Sequence, residues 1–264
     1  MTNIITDAEL VQKYASKVME EPEVSITTQA PSNSEVTLPG GYVLPDGTIV
    51  TKAEVRELNG SDEEAISKSG STAKSLNTLL QRGLVSLGEN KATKEDLDAL
   101  LSGDRDMILI GIRKVTFGPS ITVQLRCTSC SQEQTAEVDL DKDIPVKTLD
   151  NTLSDRVWEV NTKLGIVKVA LPNGITQKKL MDNLDKTSSE VNTLLLSSCI
   201  VSINNSPSIG AQTALALGMT DRNKIIEEIL ERNPGPRLGE VKKVCKACGE
   251  DIALPLSLLD LFRI

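Results

Sequence analysis

The chain contains no histidine. Histidine is the commonest general base near neutral pH and the commonest nitrogen ligand for metals. Its absence excludes a Ser-His-Asp triad. Aromatic residues are nearly as scarce: Tyr14, Tyr42, Phe117, Trp158 and Phe262 make up 2% of the chain. Such rings carry much of the packing energy of ordinary cores, so the interior must rest on Leu, Ile and Val. Long apolar runs are missing too. The longest, Met107–Ile112 and Leu194–Ile203, fall short of the roughly 18 residues that a membrane span needs. The first residues carry no basic cluster before an apolar stretch, so no secretory signal is expected. A reducing cytosol follows, where cysteines serve as thiols or metal ligands more often than as disulfides. The net charge of -8 disfavours broad nucleic-acid binding, which needs a positive surface to displace counterions.

Nucleotide chemistry fails as well. Gly83-Leu-Val-Ser-Leu-Gly88 has the glycine spacing of a phosphate loop, but Glu89 stands where lysine is required. Asp104-Arg105-Asp106 reads as a helix start with a local ion pair rather than a catalytic cluster. Glu63-Glu64 and Glu227-Glu228 read as solvated helix faces.

What remains is a chain of 264 residues, 39% apolar and 25% charged, long enough for one large domain or two smaller ones. Residues 1–35 read as an N-terminal arm: a helix over 6–20, with Thr6 and Glu9 spaced as a capping box, then a linker rich in Pro, Ser, Thr and Glu. Residues 36–150 form a first half. Val- and Ile-bearing runs flank the turn signal Pro45-Asp46-Gly47. Ser61 and Glu64 open a helix, and residues 71–117 look mainly helical, with Leu76, Leu79, Leu80, Leu84 and Leu87 at helical spacing. Thr93 caps a further helix. After Gly118-Pro119, alternating Ile121, Val123, Leu125 and Ala136, Val138, Leu140 mark two half-buried strands around Cys127-Thr-Ser-Cys130.

Residues 151–264 form a second half. A strand over Leu164–Leu171, the turn Pro172-Asn173-Gly174 and helices near 176–186, 187–203 and 220–233 lead to Cys245-Lys-Ala-Cys248. Leu44-Pro-Asp-Gly echoes Leu171-Pro-Asn-Gly, which hints at two copies of one unit. Leu-Pro-(Asp/Asn)-Gly is also a common turn string.

The four paired cysteines carry the sharpest chemical signal. A C-x2-C at a hairpin tip can aim both thiolates at one point. Two tips supply the four sulfurs that structural zinc prefers. The metal ligands expected are therefore Cys127, Cys130, Cys245 and Cys248, holding Zn2+ in a site that joins the halves. Ser131 and Gly249 follow the pairs as small residues that let the backbone turn. Closing a loop of roughly 114 residues costs on the order of 4 kcal/mol, against roughly 10–16 kcal/mol for a structural zinc. Redox-active pairs, disulfides and inert buried thiols are the alternatives; neither pair opens a clear helix that would activate a redox thiolate. Cys199 sits in an apolar helical pattern as a small buried residue. Arg237, Lys242, Lys243 and Lys246 surround the second pair, without the stacking aromatics of a nucleic-acid site.

The run Gly103-Asp-Arg-Asp-Met-Ile-Leu-Ile-Gly-Ile-Arg-Lys-Val-Thr-Phe-Gly-Pro119, leading into the alternating strand and Cys127-Thr-Ser-Cys130, resembles the baseplate hub and tail assembly proteins of T-even-type contractile-tailed phages. Gly60-Ser-Asp-Glu-Glu64 and the closing Cys245-Lys-Ala-Cys-Gly249 are similar to that family too. The resemblance covers most of residues 36–264 and is strongest over 103–140. It implies a non-catalytic structural or assembly role in a baseplate, at the hub or the hub–wedge junction. Partners would be other baseplate and tail proteins, with no small-molecule substrate and no nucleic acid, in a virion tail assembled in the host cytoplasm. The alternative is a zinc-ribbon adaptor binding nucleic acid or a polymerase; a redox enzyme comes third. The fold expected is α+β: mainly helical layers, short β-hairpins and a zinc ribbon-like four-cysteine site joining two halves.

Overall fold

The structure, a computed structural model, describes residues 34–262. The helix and linker expected over residues 1–35 lie outside the described residues except for Ser34 and Glu35. The described residues form a single unit.

Strands β1 (Glu35–Val43) and β2 (Ile49–Val55) pair antiparallel across the Pro45–Gly47 turn. Two helices follow, α1 (Gly60–Ser67) and α2 (Thr72–Gly83). Asn59 and Ser71 cap them by accepting free N–H groups of the first turns. The capping box of α1 is Asn59 with Asp62, two residues ahead of the expected Ser61 and Glu64. Asp62 is fully buried and pairs with Arg56 at 2.8 Å and Arg82 at 3.6 Å, whereas Glu64 is exposed. Burial with two cations selects the earlier start.

β3 (Leu84–Leu87) then joins β2, and β4 (Asn90–Lys91) joins β3. Leu84 and Leu87 therefore belong to a strand, not to the helical stripe in which their spacing placed them. They pair with Val55 and Ala53, a tertiary gain that local periodicity cannot register. Thr93 caps α3 (Lys94–Ala99) as expected. α4 (Ser102–Phe117) is buried on two sides. Ile108, Leu109 and Ile112 face the core shared with β1, β2 and α2, while Ile110 faces a separate cluster with Ile121 and Val138. Hairpin β5 (Ser120–Arg126) with β6 (Glu133–Asp139) leaves the end of α4 and carries the first cysteine pair at its tip.

After β7 (Val146–Lys147) the same order of elements recurs. β8 (Val157–Thr162) and β9 (Gly165–Ala170) form a hairpin. α5 (Gly174–Met181) and α6 (Ser188–Cys199) follow, then the short hairpin β10 (Ile200–Ile203) with β11 (Ser206–Pro207), then α7 (Ala211–Ala216) and α8 (Met219–Arg232). The strand orders β1-β2-β3-β4 and β8-β9-β10-β11 are the same path through a sheet. The helix expected over 187–203 stops at Cys199, because β-branched Ile200, Val201 and Ile203 favour the pleated surface and Ile200 pairs with Val169. Val167, Val169, Leu196, Cys199, Ile225 and Ile229 form this half's core.

β12 (Gly235–Pro236) pairs with β7. β13 (Lys242–Val244) and β14 (Asp251–Ala253) carry the second cysteine pair, and α9 (Leu258–Phe262) closes against α4. Nine helices and fourteen strands in five small sheets stand among the described residues. The fold is thus mixed, and the expectation of mainly helical layers is corrected. Strands too short to show an alternating pattern carry much of the architecture.

The recurrence is real, but the string that hinted at it is not its marker. Leu44–Gly47 lies in the β1–β2 turn, whereas Leu171–Gly174 opens α5. The true counterpart of Asn173-Gly174 is Asn59-Gly60: each Asn caps the first helix after a hairpin.

Candidate metal centre

Each cysteine pair sits where a hairpin reverses, and the two reversals are built alike. The Cys127 N–H donates to Gln132 O and the Ser131 N–H returns to Cys127 O. In the second hairpin the Cys245 N–H donates to Glu250 O and the Gly249 N–H returns to Cys245 O. Ser131 and Gly249 take left-handed φ of 61° and 78°. Only such a residue folds the chain back within the knuckle, and glycine does so without a Cβ penalty.

The knuckles meet tip to tip. All four Sγ atoms lie within 4.8 Å of one another. Cys127 Sγ is 3.6 Å from Cys248 Sγ, and Cys130 Sγ is 3.7 Å from Cys245 Sγ. The first cysteine of each knuckle thus faces the second of the other. That exchange is what a local two-fold relation between the hairpins produces. Cys127 and Cys245 are buried and Cys130 and Cys248 exposed. Leu125, Ala136 and Ile252 close an apolar floor under the buried sulfurs.

Backbone N–H groups tune the sulfurs. The Cys130 N–H, outweighing burial, draws Cys127 down to about 6, with help from the Ser129 N–H. The N–H groups of Cys248 and Ala247 draw Cys245 down in the same way. Cys248 is pulled down by the Glu250 N–H, but burial and the thiols of Cys130, Cys245 and Cys127 outweigh it and hold it up at about 12. Thiols so crowded share protons, and a cation among them would release those protons. Tetrahedral sulfurs about 2.3 Å from one ion stand about 3.8 Å apart, close to the two short separations seen here. The donor set therefore fits a four-coordinate thiophilic ion, with no position left for water.

Cys199 stands apart, buried in the second core and pushed up to about 12 by burial. Three of the four basic residues near the second pair have internal uses. Arg237 donates to the carbonyls of Leu230, Glu231 and Asn233 at the end of α8. Lys243 pairs with Asp143 at 2.5 Å, and Lys246 donates to Thr135 O.

Sequence reasoning underrated the Asp-Arg dipeptide of α4. Its side chains do not pair locally. Asp104 accepts the Gly40 N–H at 2.7 Å, and its Oδ2 has no partner. Arg105, 2% exposed, donates to Leu97 O, Asn77 Oδ1 and, across the halves, Gln177 Oε1. A second dipeptide, Asp221-Arg222, fills the same turn of α8. Asp221 accepts the Lys163 N–H, and Arg222 donates to Ala214 O and Thr193 Oγ1. The signal was present: Asp104-Arg105 and Asp221-Arg222 each lie one helix upstream of a Gly-Pro, Gly118-Pro119 and Gly235-Pro236.

The chain belongs to the family of T4 bacteriophage base plate proteins, whose family model matches residues 42–263. The match spans both halves and both knuckles. No curated protein and no solved structure matches the chain. Among the described residues, no helix is long and apolar enough to cross a membrane.

Proposed function

We propose that the chain is a non-catalytic structural or assembly component of a contractile-tail baseplate, at the hub or the hub–wedge junction, clamped by one structural zinc on Cys127, Cys130, Cys245 and Cys248. The observation that carries the clamp is the convergence of four sulfurs from two distant hairpins within 4.8 Å. Soft thiolates in a tetrahedral set select zinc or an iron–sulfur centre. Four sulfurs around one ion match zinc in a closed structural site, which offers no open position for catalysis. The baseplate role rests on family membership across residues 42–263. Its partners are other phage tail proteins, and its place is the virion tail, assembled in the host cytoplasm.

Two measurements test the two parts. Elemental analysis of the purified full chain is expected to give about one zinc per chain; a metal-free, fully folded protein sinks the clamp. Fractionation of phage tails is expected to place the chain with baseplate intermediates. Its absence from tails and from every assembly intermediate sinks the baseplate role. Salt-sensitive binding to nucleic acid by the purified chain would favour the adaptor reading instead.

A further inference from the structure

Inside the chain, one of the contacts between the halves runs through the start of α5. The segment ahead of α5 lies along the α3–α4 junction: the Ser102 N–H donates to Pro172 O and the Gly174 N–H to Leu100 O, both at 2.9 Å. The first turn of α5 then reaches side chains of the first half. Gln177 bonds Arg105 at 2.7 Å and Asp106 at 2.6 Å, and Lys178 pairs with Asp98 at 2.7 Å. The approach is so close that a Cβ on Gly174 would lie 2.3 Å from Leu97 O.

Because the two halves repeat one element order, this contact has a counterpart on paper. The partner of the α5 start is the α1 start, Leu58-Asn59-Gly60 with Glu63. The partner of the α3–α4 junction is the α7–α8 junction, Ala214–Arg222. The match is tight at the arginine. Arg105 and Arg222 each donate to the carbonyl eight residues earlier, Leu97 and Ala214. Each also donates to the sixth residue of the matched helices α2 and α6, Asn77 and Thr193.

Within one chain the counterpart contact is not made, and both of its faces stand open. A Cβ on Gly60 would meet nothing within 4 Å. Yet Gly60 keeps the glycine, behind the same asparagine cap, that close docking demands of Gly174. At the other face Leu215 is 67% and Met219 82% exposed, while Ser102, the position matching Met219, is buried. Charges fit as well. Glu63 is exposed and stands where Gln177 stands, and Arg222 has no partner at Nε among the described residues, where Arg105 Nε holds Gln177. Repetition of the contact would set the Glu63 carboxylate on that nitrogen.

We infer that the chain associates head to tail with a second copy of itself, its α1 start seating on the next copy's α7–α8 junction as α5 seats on α3–α4 within the chain. The association uses two different faces, so it propagates to a ring or a linear stack rather than stopping at a symmetric dimer. It covers the apolar pair Leu215 and Met219, which in a lone chain face water. The inference draws on the repeat alone and does not depend on the metal.

Sedimentation velocity of the purified full chain over a wide concentration range tests it. Wild type is expected to associate. Gly60→Val blocks one face and Met219→Glu the other, and both positions are exposed, so thermal unfolding confirms that each variant folds. Each variant alone is expected to stay monomeric, with association weakened at least tenfold. An equal mixture is expected to form one-to-one pairs and stop there, since only one good face of each chain remains. Glu63→Arg and Leu215→Glu provide a second pair of variants. A wild type that stays monomeric throughout, variants that associate as wild type does, or a mixture that remains monomeric would overturn the inference.

Discussion

Arg105 and Arg222 hold the same station in the two halves: each gathers the carbonyl eight residues upstream, Leu97 or Ala214, against the start of a long helix. They differ in isolation from water. Arg105 is 2% exposed and also bonds Gln177 of the other half, whereas Arg222 is only part-buried. Lysine concentrates its donors on one nitrogen and lacks the planar fork that reaches several separate acceptors at once. Arg105→Lys is expected to cost roughly 3–5 kcal/mol, because it leaves buried acceptors unpaired. Arg222→Lys is expected to cost about 1–2 kcal/mol. Urea unfolding of the two variants measures the difference; equal costs would mean that the Gln177 link contributes nothing.

Asp104 gives a pH signature. Burial, only partly offset by the Gly40 N–H and the Arg156 charge, pushes it up to about 7. In the unfolded chain an aspartate titrates near 3.9. Between about pH 4 and pH 7 the folded chain therefore holds a proton that the unfolded chain has lost, and stability falls as pH rises through that window. The contribution is fully present below about pH 4 and gone above about pH 7. Asp106, raised to about 6 by burial against the pull of Gln177 and Arg105, adds a slope of the same sign. Asp104→Asn retains an acceptor for Gly40 and removes its own slope. Its stability relative to wild type is expected to rise by roughly 1–4 kcal/mol between pH 5 and pH 7.5. Parallel curves for the two proteins would show that Asp104 titrates normally.

The knuckle glycine is expected to matter more than the knuckle serine. Gly249→Val forces a β-branched residue into the left-handed region that Gly249 occupies at φ 78°, at a cost of roughly 1–2 kcal/mol. Ser131 already bears that strain at φ 61°, so Ser131→Gly is expected to be neutral or to stabilise by up to about 1 kcal/mol. Thermal unfolding of both variants checks the sign, and stabilisation by Gly249→Val would contradict the turn geometry.

Removal of the proposed zinc is expected to have the largest effect. Cys130→Ser and Cys248→Ser are each expected to abolish zinc retention and lower the unfolding temperature by many degrees. A chelator is expected to reproduce the effect in wild type and leave the variants unchanged. Additive losses from chelator and Cys130→Ser would show that the cysteine acts by packing rather than by ligation.

The knuckles were legible because their information is local. Two residues between cysteines and an alternating strand on either side of Cys127 give a hairpin tip whatever else the chain does. The start of α3 at Thr93 was legible for the same reason, since a cap is read within four residues. β3 and β10 were not. Leu84–Leu87 and Ile200–Ile203 follow directly on helices and keep their apolar residues at helical spacing, and only pairing with β2 and β9 decides their conformation. The repeat was hidden by divergence at most positions, although matched core residues such as Ile108 and Ile225, Ile112 and Ile229, and Leu80 and Leu196 stay the same. Asn-Gly at a helix start, Asp-Arg in the first turn of α4 and α8, and Gly-Pro beyond their ends survive where side-chain identity has drifted. Asp62 shows the same limit in small: its two cationic neighbours, Arg56 and Arg82, come from outside its helix and moved the cap by two residues.

An ion held among those four sulfurs would turn residues 127–248 into a closed circuit. Cutting the backbone anywhere inside that circuit would then release nothing: two polypeptides would migrate as one particle until the thiols let go. A protease could thus scar this protein without dismantling it, a useful tolerance in a machine that must survive outside the cell.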